Sequence, residues 1–147
     1  MTYYEWINYI EEFKEKQITD DFIKKINTFD FDYPQDVMFR LEDHILKIIF
    51  DKLGLLRDDL EIKIETIKSP QELTLLINKI KDTIKEVTKL QKIKYFDNAL
   101  VNEIKVDIEK YVEEYTKIIK RHFNGITSNE YLVVLNNMHL MEGVWII

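Results

Sequence analysis

The sequence predicts an all-α, single-domain bundle of five to seven helices spanning residues 1–147. Two observations carry that prediction. No glycine or proline occurs between Pro70 and Gly125, and apolar residues recur there at three- and four-residue spacing. Leu73, Ile77, Ile80, Ile84 and Val87 form one stripe; Val101, Ile104, Ile108, Tyr111, Tyr115 and Ile118 form another. In addition, three glycines and two prolines in 147 residues leave too few turn formers for a β-sandwich or barrel. The expected centrepiece is a long antiparallel helical hairpin over about residues 70–123.

The first helix opens with a capping box, Thr2 paired with Glu5, and sets Tyr3, Trp6, Ile7, Ile10 and Phe13 on one face. A second, short helix follows Thr19 as N-cap. Asp20 and Asp21 suit its positive end, and Phe22, Ile23 and Ile26 supply its buried face. The run Phe29-Asp30-Phe31-Asp32-Tyr33-Pro34 breaks the helical pattern, since Pro34 holds Tyr33 extended and suits the first turn of a new helix. A third helix is expected from Gln35 to Leu53, with Val37, Leu41, Ile45, Ile48 and Ile49 as its stripe and Gly54 as its C-terminal stop.

Residues 60–66 fit two patterns. Leu60 to Glu65 alternates as a half-buried strand does, while Leu56, Leu60, Ile64 and Ile67 have helical spacing. A strand needs a partner and the chain offers no convincing second one, so helix is favoured. Ser69-Pro70-Gln71-Glu72 is a clear helix start: cap, proline at the first position, glutamate at the third. That helix is expected to reach about Gln91. Lys92–Asp97 interrupts the stripe, and Asp97 or Asn98 can cap a successor that runs to about Phe123 and closes on Asn124-Gly125. Thr127 to Glu130 reads as another capping box, with Tyr131, Leu135, Met138 and Met141 behind it and Gly143 as the stop.

Composition excludes several classes of chemistry. With no cysteine there is no disulfide, zinc–thiolate site, iron–sulfur cluster or cysteine nucleophile. The amphipathic, acidic N-terminus lacks the basic start and continuous apolar run of a signal peptide. No apolar run approaches the roughly 20 residues of a membrane span. A cytoplasmic protein without a membrane role is expected, and the Lys, Ile and Asn bias suggests a bacterial or phage genome.

The net charge of −6 is unevenly spread: −6 over residues 1–69, +3 over 70–94 and −3 over 95–147. Overall acidity disfavours nucleic acid, whose binding rests on phosphate-neutralising cations. The exception is Lys81, Lys85, Lys89 and Lys92, which share one helix face. Without interleaved aromatics they read as a solvated outer face or a basic strip for phosphate or an acidic partner.

No enzyme template is present: no glycine-rich phosphate loop, no G-x-S-x-G and no paired catalytic motif. His44, His122 and His139 form no ligand pair, and His122 is expected to be partly buried on the stripe of its helix. No metal site and no cofactor are expected. Asp30, Asp32 and Asp36 lack the glycine and bidentate glutamate of an EF-hand and read as a solvated turn. The pair Arg40 and His44 resembles the Arg-x(4–6)-His signature of the HEPN helical ribonucleases. Here three residues intervene, fewer than in that motif, and Glu42 and Asp43 among them repel phosphate. The resemblance implies a helical RNA-binding protein.

Eight tyrosines favour a binding role, because Tyr and Trp bury area while keeping a polar tip. Tyr4 and Tyr9 fall off the stripe of the first helix. Trp145 lies in the apolar tail Val144–Ile147, which must dock on the core or on a partner. The expected function is therefore protein–protein binding by a small acidic protein of the immunity, antitoxin or inhibitor type. Tyr4, Tyr9, Lys81, Lys85, Lys89, Lys92 and Trp145 are its candidate contact residues. The alternatives are a scaffold that homo-oligomerises through the long hairpin and the RNA-binding protein just described.

Overall fold

Every residue except 1, 15, 29–34, 95 and 142–147 is described in the computed structural model, with the backbone alone described at residues 3, 14, 35–39 and 41. The fold is all-α. Six α-helices and no strands occur among the described residues: α1 Tyr3–Glu11, α2 Asp20–Asn27, α3 Gln35–Lys63, α4 Pro70–Thr88, α5 Asn98–His122 and α6 Asn129–Asn136. Short 3-10 turns at Glu12–Lys14, Ile64–Thr66 and Lys89–Lys92 extend α1, α3 and α4.

The helix starts follow the local chemistry. Thr2 Oγ1 accepts from the Glu5 amide while the Glu5 carboxylate accepts from the Thr2 amide, a complete capping box. Thr19 caps α2 through the Phe22 amide, and Asp97 caps α5 through the Leu100 amide at 2.7 Å. At α4, Ser69 takes the Glu72 amide and the Glu72 carboxylate reaches one residue further back, to the amide of Lys68. Gly125 follows α5 at φ 79°, a left-handed position open to glycine at little cost.

Three expectations are corrected. Gly54 does not stop the third helix, which runs on to Lys63. An interior glycine costs only about 1 kcal/mol, while the flanking Leu53, Leu56 and Leu60 are all buried by keeping the helix intact. Residues 60–66 are thus helical, as favoured, but belong to α3 and its closing 3-10 turn. Second, Ser128 rather than Thr127 precedes α6, and its side chain makes no cap hydrogen bond, so that capping box is not formed. The helix itself ends at Asn136, short of Gly143. Third, the stripes on 70–123 do not chiefly pack on each other. The principal neighbour of α5 is α3, and α4 packs on α3 and α6. At 29 residues, about 44 Å of helix, α3 is long enough to serve both.

One core runs through the molecule. Trp6, Ile10, Ile18, Phe22 and Ile26 close one end, Ile48, Leu53 and Leu60 form the spine, and Leu73, Ile80, Ile84, Ile108, Tyr115 and Ile119 line its sides. The break between α4 and α5 is pinned by Asn27 at the end of α2. Its side-chain amide donates to the Lys92 carbonyl at 3.2 Å and its oxygen accepts from the Lys94 amide at 2.9 Å. No described helix is long and apolar enough to cross a membrane.

Candidate interaction surface

Two ion pairs fix the register of α3 against α4. Asp59 meets Lys79 at 3.2 Å, and Lys52 meets Glu86 at 3.1 Å. Residues rise along one helix as they fall along the other, so the pair is antiparallel. The two helices enclose an open groove of about 540 Å³ lined by Lys52, Leu55, Leu56, Asp59, Lys79, Thr83 and Glu86.

The floor of the groove is charged and internally satisfied. Glu86 Oε1 accepts from both Lys52 and the Ile18 amide, the latter at 2.7 Å, and Lys52 also donates to the Lys16 carbonyl at 2.6 Å. The Lys52 and Glu86 side chains are each only 12% exposed. Two turns along, Asp59 Oδ2 takes Lys63 at 2.8 Å as well as Lys79. The hydrogen bond from Lys63, joined by that from Lys79, holds the Asp59 carboxyl below its ordinary range despite an opposing effect of burial. The bond to Asp59 in turn raises Lys63.

The two helices also carry exposed aliphatics, of which Leu55 lines the groove. Leu55, Ile62 and Leu75 are 64%, 69% and 70% exposed. On α3, His44, Ile48, Leu55 and Ile62 stand at i, i+4, i+11 and i+18, one helix face. Helix α1 covers the start of that face, where Glu11 meets His44 Nδ1 at 3.1 Å. With nine residues, α1 spans only about 14 Å of it. Leu55 and Ile62 continue the face beyond the reach of α1, and Leu75 is a further exposed aliphatic on α4. This surface was missed in the sequence because Leu56, Leu60 and Ile64 account for the helical stripe there. The available signal was the surplus: Leu55, Ile62 and Leu75 are large aliphatics that the core stripes do not use.

The residues singled out in the sequence are scattered. Tyr4 is 77% exposed on α1. Tyr9 is half-buried among Trp6, Phe13 and Phe22, with ring centroids 5.5–5.6 Å away, and Lys25 Nζ lies 4.2 Å over its ring. Burial, then Glu12 and Asp21, raise its phenol above the ordinary range. Tyr9 thus ties α1 to α2. Lys81, Lys85, Lys89 and Lys92 do share a face; Lys85 and Lys92 are exposed, while Lys89 lies 3.7 Å from Asp20. Tyr4 and the lysines are not brought together, because α1 packs on α3 rather than α4. Trp145, with the Val144–Ile147 tail, and Asp30 and Asp32 lie outside the described residues, as does the side chain of Asp36.

His122 is exposed, with an edge contact to Phe123, rather than partly buried: α5 ends there and its stripe closes on Ile119 and Phe123. His139 is also exposed, at φ 27°. Arg40 is exposed one turn before His44, whose ring is turned to Glu11 of α1. Among the described residues no group of three or more His, Asp or Glu side chains is placed to hold a metal. A second hollow, of about 930 Å³, lies between the end of α5, α6 and residues 138–141, with Phe123, Ile126, Leu135 and Met138 in its wall.

No protein-family model, curated protein or solved structure matches the chain.

Proposed function

We propose that this chain is a protein-binding module and that the α3–α4 face is its binding surface. The observation that carries the reading is three large aliphatics open to solvent on these two helices: Leu55, which lines the groove, Ile62 on the same face of α3, and Leu75 on α4. Scattered exposed apolar residues need no explanation, but apolar side chains gathered at a groove and edged by charge mark interaction sites. The groove floor supports the same reading. Its charges are already paired, so a partner is held by apolar contact, with the lysines and carboxylates fixing its orientation. An acidic cytoplasmic protein of the immunity, antitoxin or inhibitor type fits such a surface. The lysine strip on α4 supports a nucleic-acid reading less well, since Asp20 lies beside Lys89 and the chain as a whole is acidic.

A photo-crosslinking residue placed at position 62 tests this in cells that make the protein. A discrete protein adduct is expected there and none at position 113, an exposed site on α5. Absence of any protein adduct at position 62 would overturn the reading.

A further inference from the structure

Helix α6 reads Asn129-Glu130-Tyr131-Leu132-Val133-Val134-Leu135-Asn136, apolar over its five central residues, yet none of its residues is fully buried. A helix this apolar needs cover for more than one narrow stripe. Its neighbour in the bundle is α4. Leu132 and Leu135 line the hollow at the end of α5 and stay half-buried there. The hollow therefore exposes apolar wall that the described residues do not cover.

We infer that the segment Val144–Ile147 of the same chain folds back into this hollow and covers it. Position selects that occupant. Met141 is the last described residue, and it stands in the wall of the hollow. The six residues that follow are Glu142-Gly143-Val144-Trp145-Ile146-Ile147. Trp145, four residues on, lies within about 14 Å of Met141, which keeps it within the span of a hollow of about 930 Å³. Gly143 opens the left-handed backbone region to a reversal just before the apolar run. A segment tethered at the wall is present at roughly millimolar effective concentration, so it outcompetes a dilute free partner of similar affinity.

Chemistry selects the same occupant. Valine, tryptophan and two isoleucines in succession are costly to leave in water. The wall offers Phe123, Ile126 and Leu140, and the pliable thioethers of Met138 and Met141 suit an aromatic ring. A buried indole N–H needs an acceptor, and Thr116 and Asn136 in the lining carry side-chain oxygens. The lining residues that titrate, Lys120 and His139, are both bases, while the one charged side chain of the segment is the acid Glu142.

Tryptophan fluorescence of the full chain tests the inference, since Trp6 and Trp145 are its two tryptophans. The emission lost in Trp145→Phe is that of Trp145. It is expected to be blue-shifted and shielded from acrylamide in the folded chain, to turn red and quenchable in urea, and to be independent of protein concentration. Leu135→Glu puts a charge in the wall and should shift that emission to the red; Val133→Glu, at an exposed site of α6 outside the lining, should leave it in place. A cysteine pair keeps the test decisive if Leu135→Glu unfolds α6. The natural chain has no cysteine, and Asn136 and Asn137 are both exposed, but only Asn136 lines the hollow. Ile146→Cys should form an intramolecular disulfide faster with Asn136→Cys than with Asn137→Cys. Trp145 emission that is red and fully quenchable in the folded chain overturns the inference. Shielding that develops only as protein concentration rises overturns it too, and assigns the hollow to another copy. Equal disulfide rates at positions 136 and 137 would place the segment outside the hollow.

Discussion

Gly54 sits inside α3, where the absence of a side chain costs about 1 kcal/mol relative to alanine. A methyl group added there would meet its nearest neighbour, the Tyr111 hydroxyl, at 4.0 Å, an ordinary contact. Gly54→Ala is therefore expected to raise stability by about 0.5–1 kcal/mol, read as a higher urea midpoint at unchanged slope. A fall in the midpoint would show that α3 and α5 need the open backbone. One residue earlier, the Leu53 carbonyl accepts from the hydroxyl of the fully buried Tyr115 at 2.6 Å. Burial first, then Tyr111, push that phenol far above its ordinary value of 10.0 against the pull of Arg57. A phenol that ionises less readily in the folded chain stabilises fully below about pH 10, and that contribution is lost as pH rises from there toward the folded value. Tyr115→Phe is expected to cost about 1 kcal/mol at neutral pH. Its stability should then fall less steeply than wild type above pH 10, by up to about 1.4 kcal/mol per pH unit. Parallel alkaline denaturation curves would refute this assignment.

Among the elements, helix starts were legible in the sequence because each depends on three or four adjacent residues. Thr2, Thr19, Ser69 and Asp97 all cap as their local sequences require. Ser128 has no such bond. Ser69→Ala should therefore cost about 1 kcal/mol, and Ser128→Ala less than about 0.5 kcal/mol, a contrast that thermal melts will resolve. Helix ends and pairings were less legible. The penalty at Gly54 was outweighed by leucines whose burial depends on distant elements, and α3 took α4 and α5 as neighbours where their own stripes suggested a hairpin. The junction that fixes α1 and α2 on α3 and α4 was invisible in sequence, since Glu86 meets Ile18 across 68 residues. Glu86→Ala leaves Lys52 without its carboxylate and the Ile18 amide without its acceptor. A fully buried pair broken in this way costs about 3–5 kcal/mol. With 12% exposure on each side chain, about 2–4 kcal/mol is expected. Amide exchange at Ile18 should accelerate more than at residues elsewhere in the core. Unchanged protection at Ile18 would mean that the junction holds without this bond.

At the scale of the whole molecule, composition made the acidity legible but not its consequence for assembly. The candidate surface depends on where α1 stops along α3 and on which helix crosses it, and neither is written in any single stretch of chain. The helical stripes mark what faces the core, and Leu55, Ile62 and Leu75 lie outside them. Charge then sets how a partner on this surface responds to salt. Asp59 is already held by Lys63 and Lys79 of its own chain, and Glu86 by Lys52, so few pairs remain to form across an interface there. A partner held by apolar contact loses little when salt screens surface charge. The yield of the position-62 adduct is therefore expected to change less than about threefold between about 0.05 and about 0.5 M salt, measured by crosslinking in lysate. A yield that falls by about tenfold or more would overturn the apolar account of the surface and assign the attraction to opposite charges meeting across it.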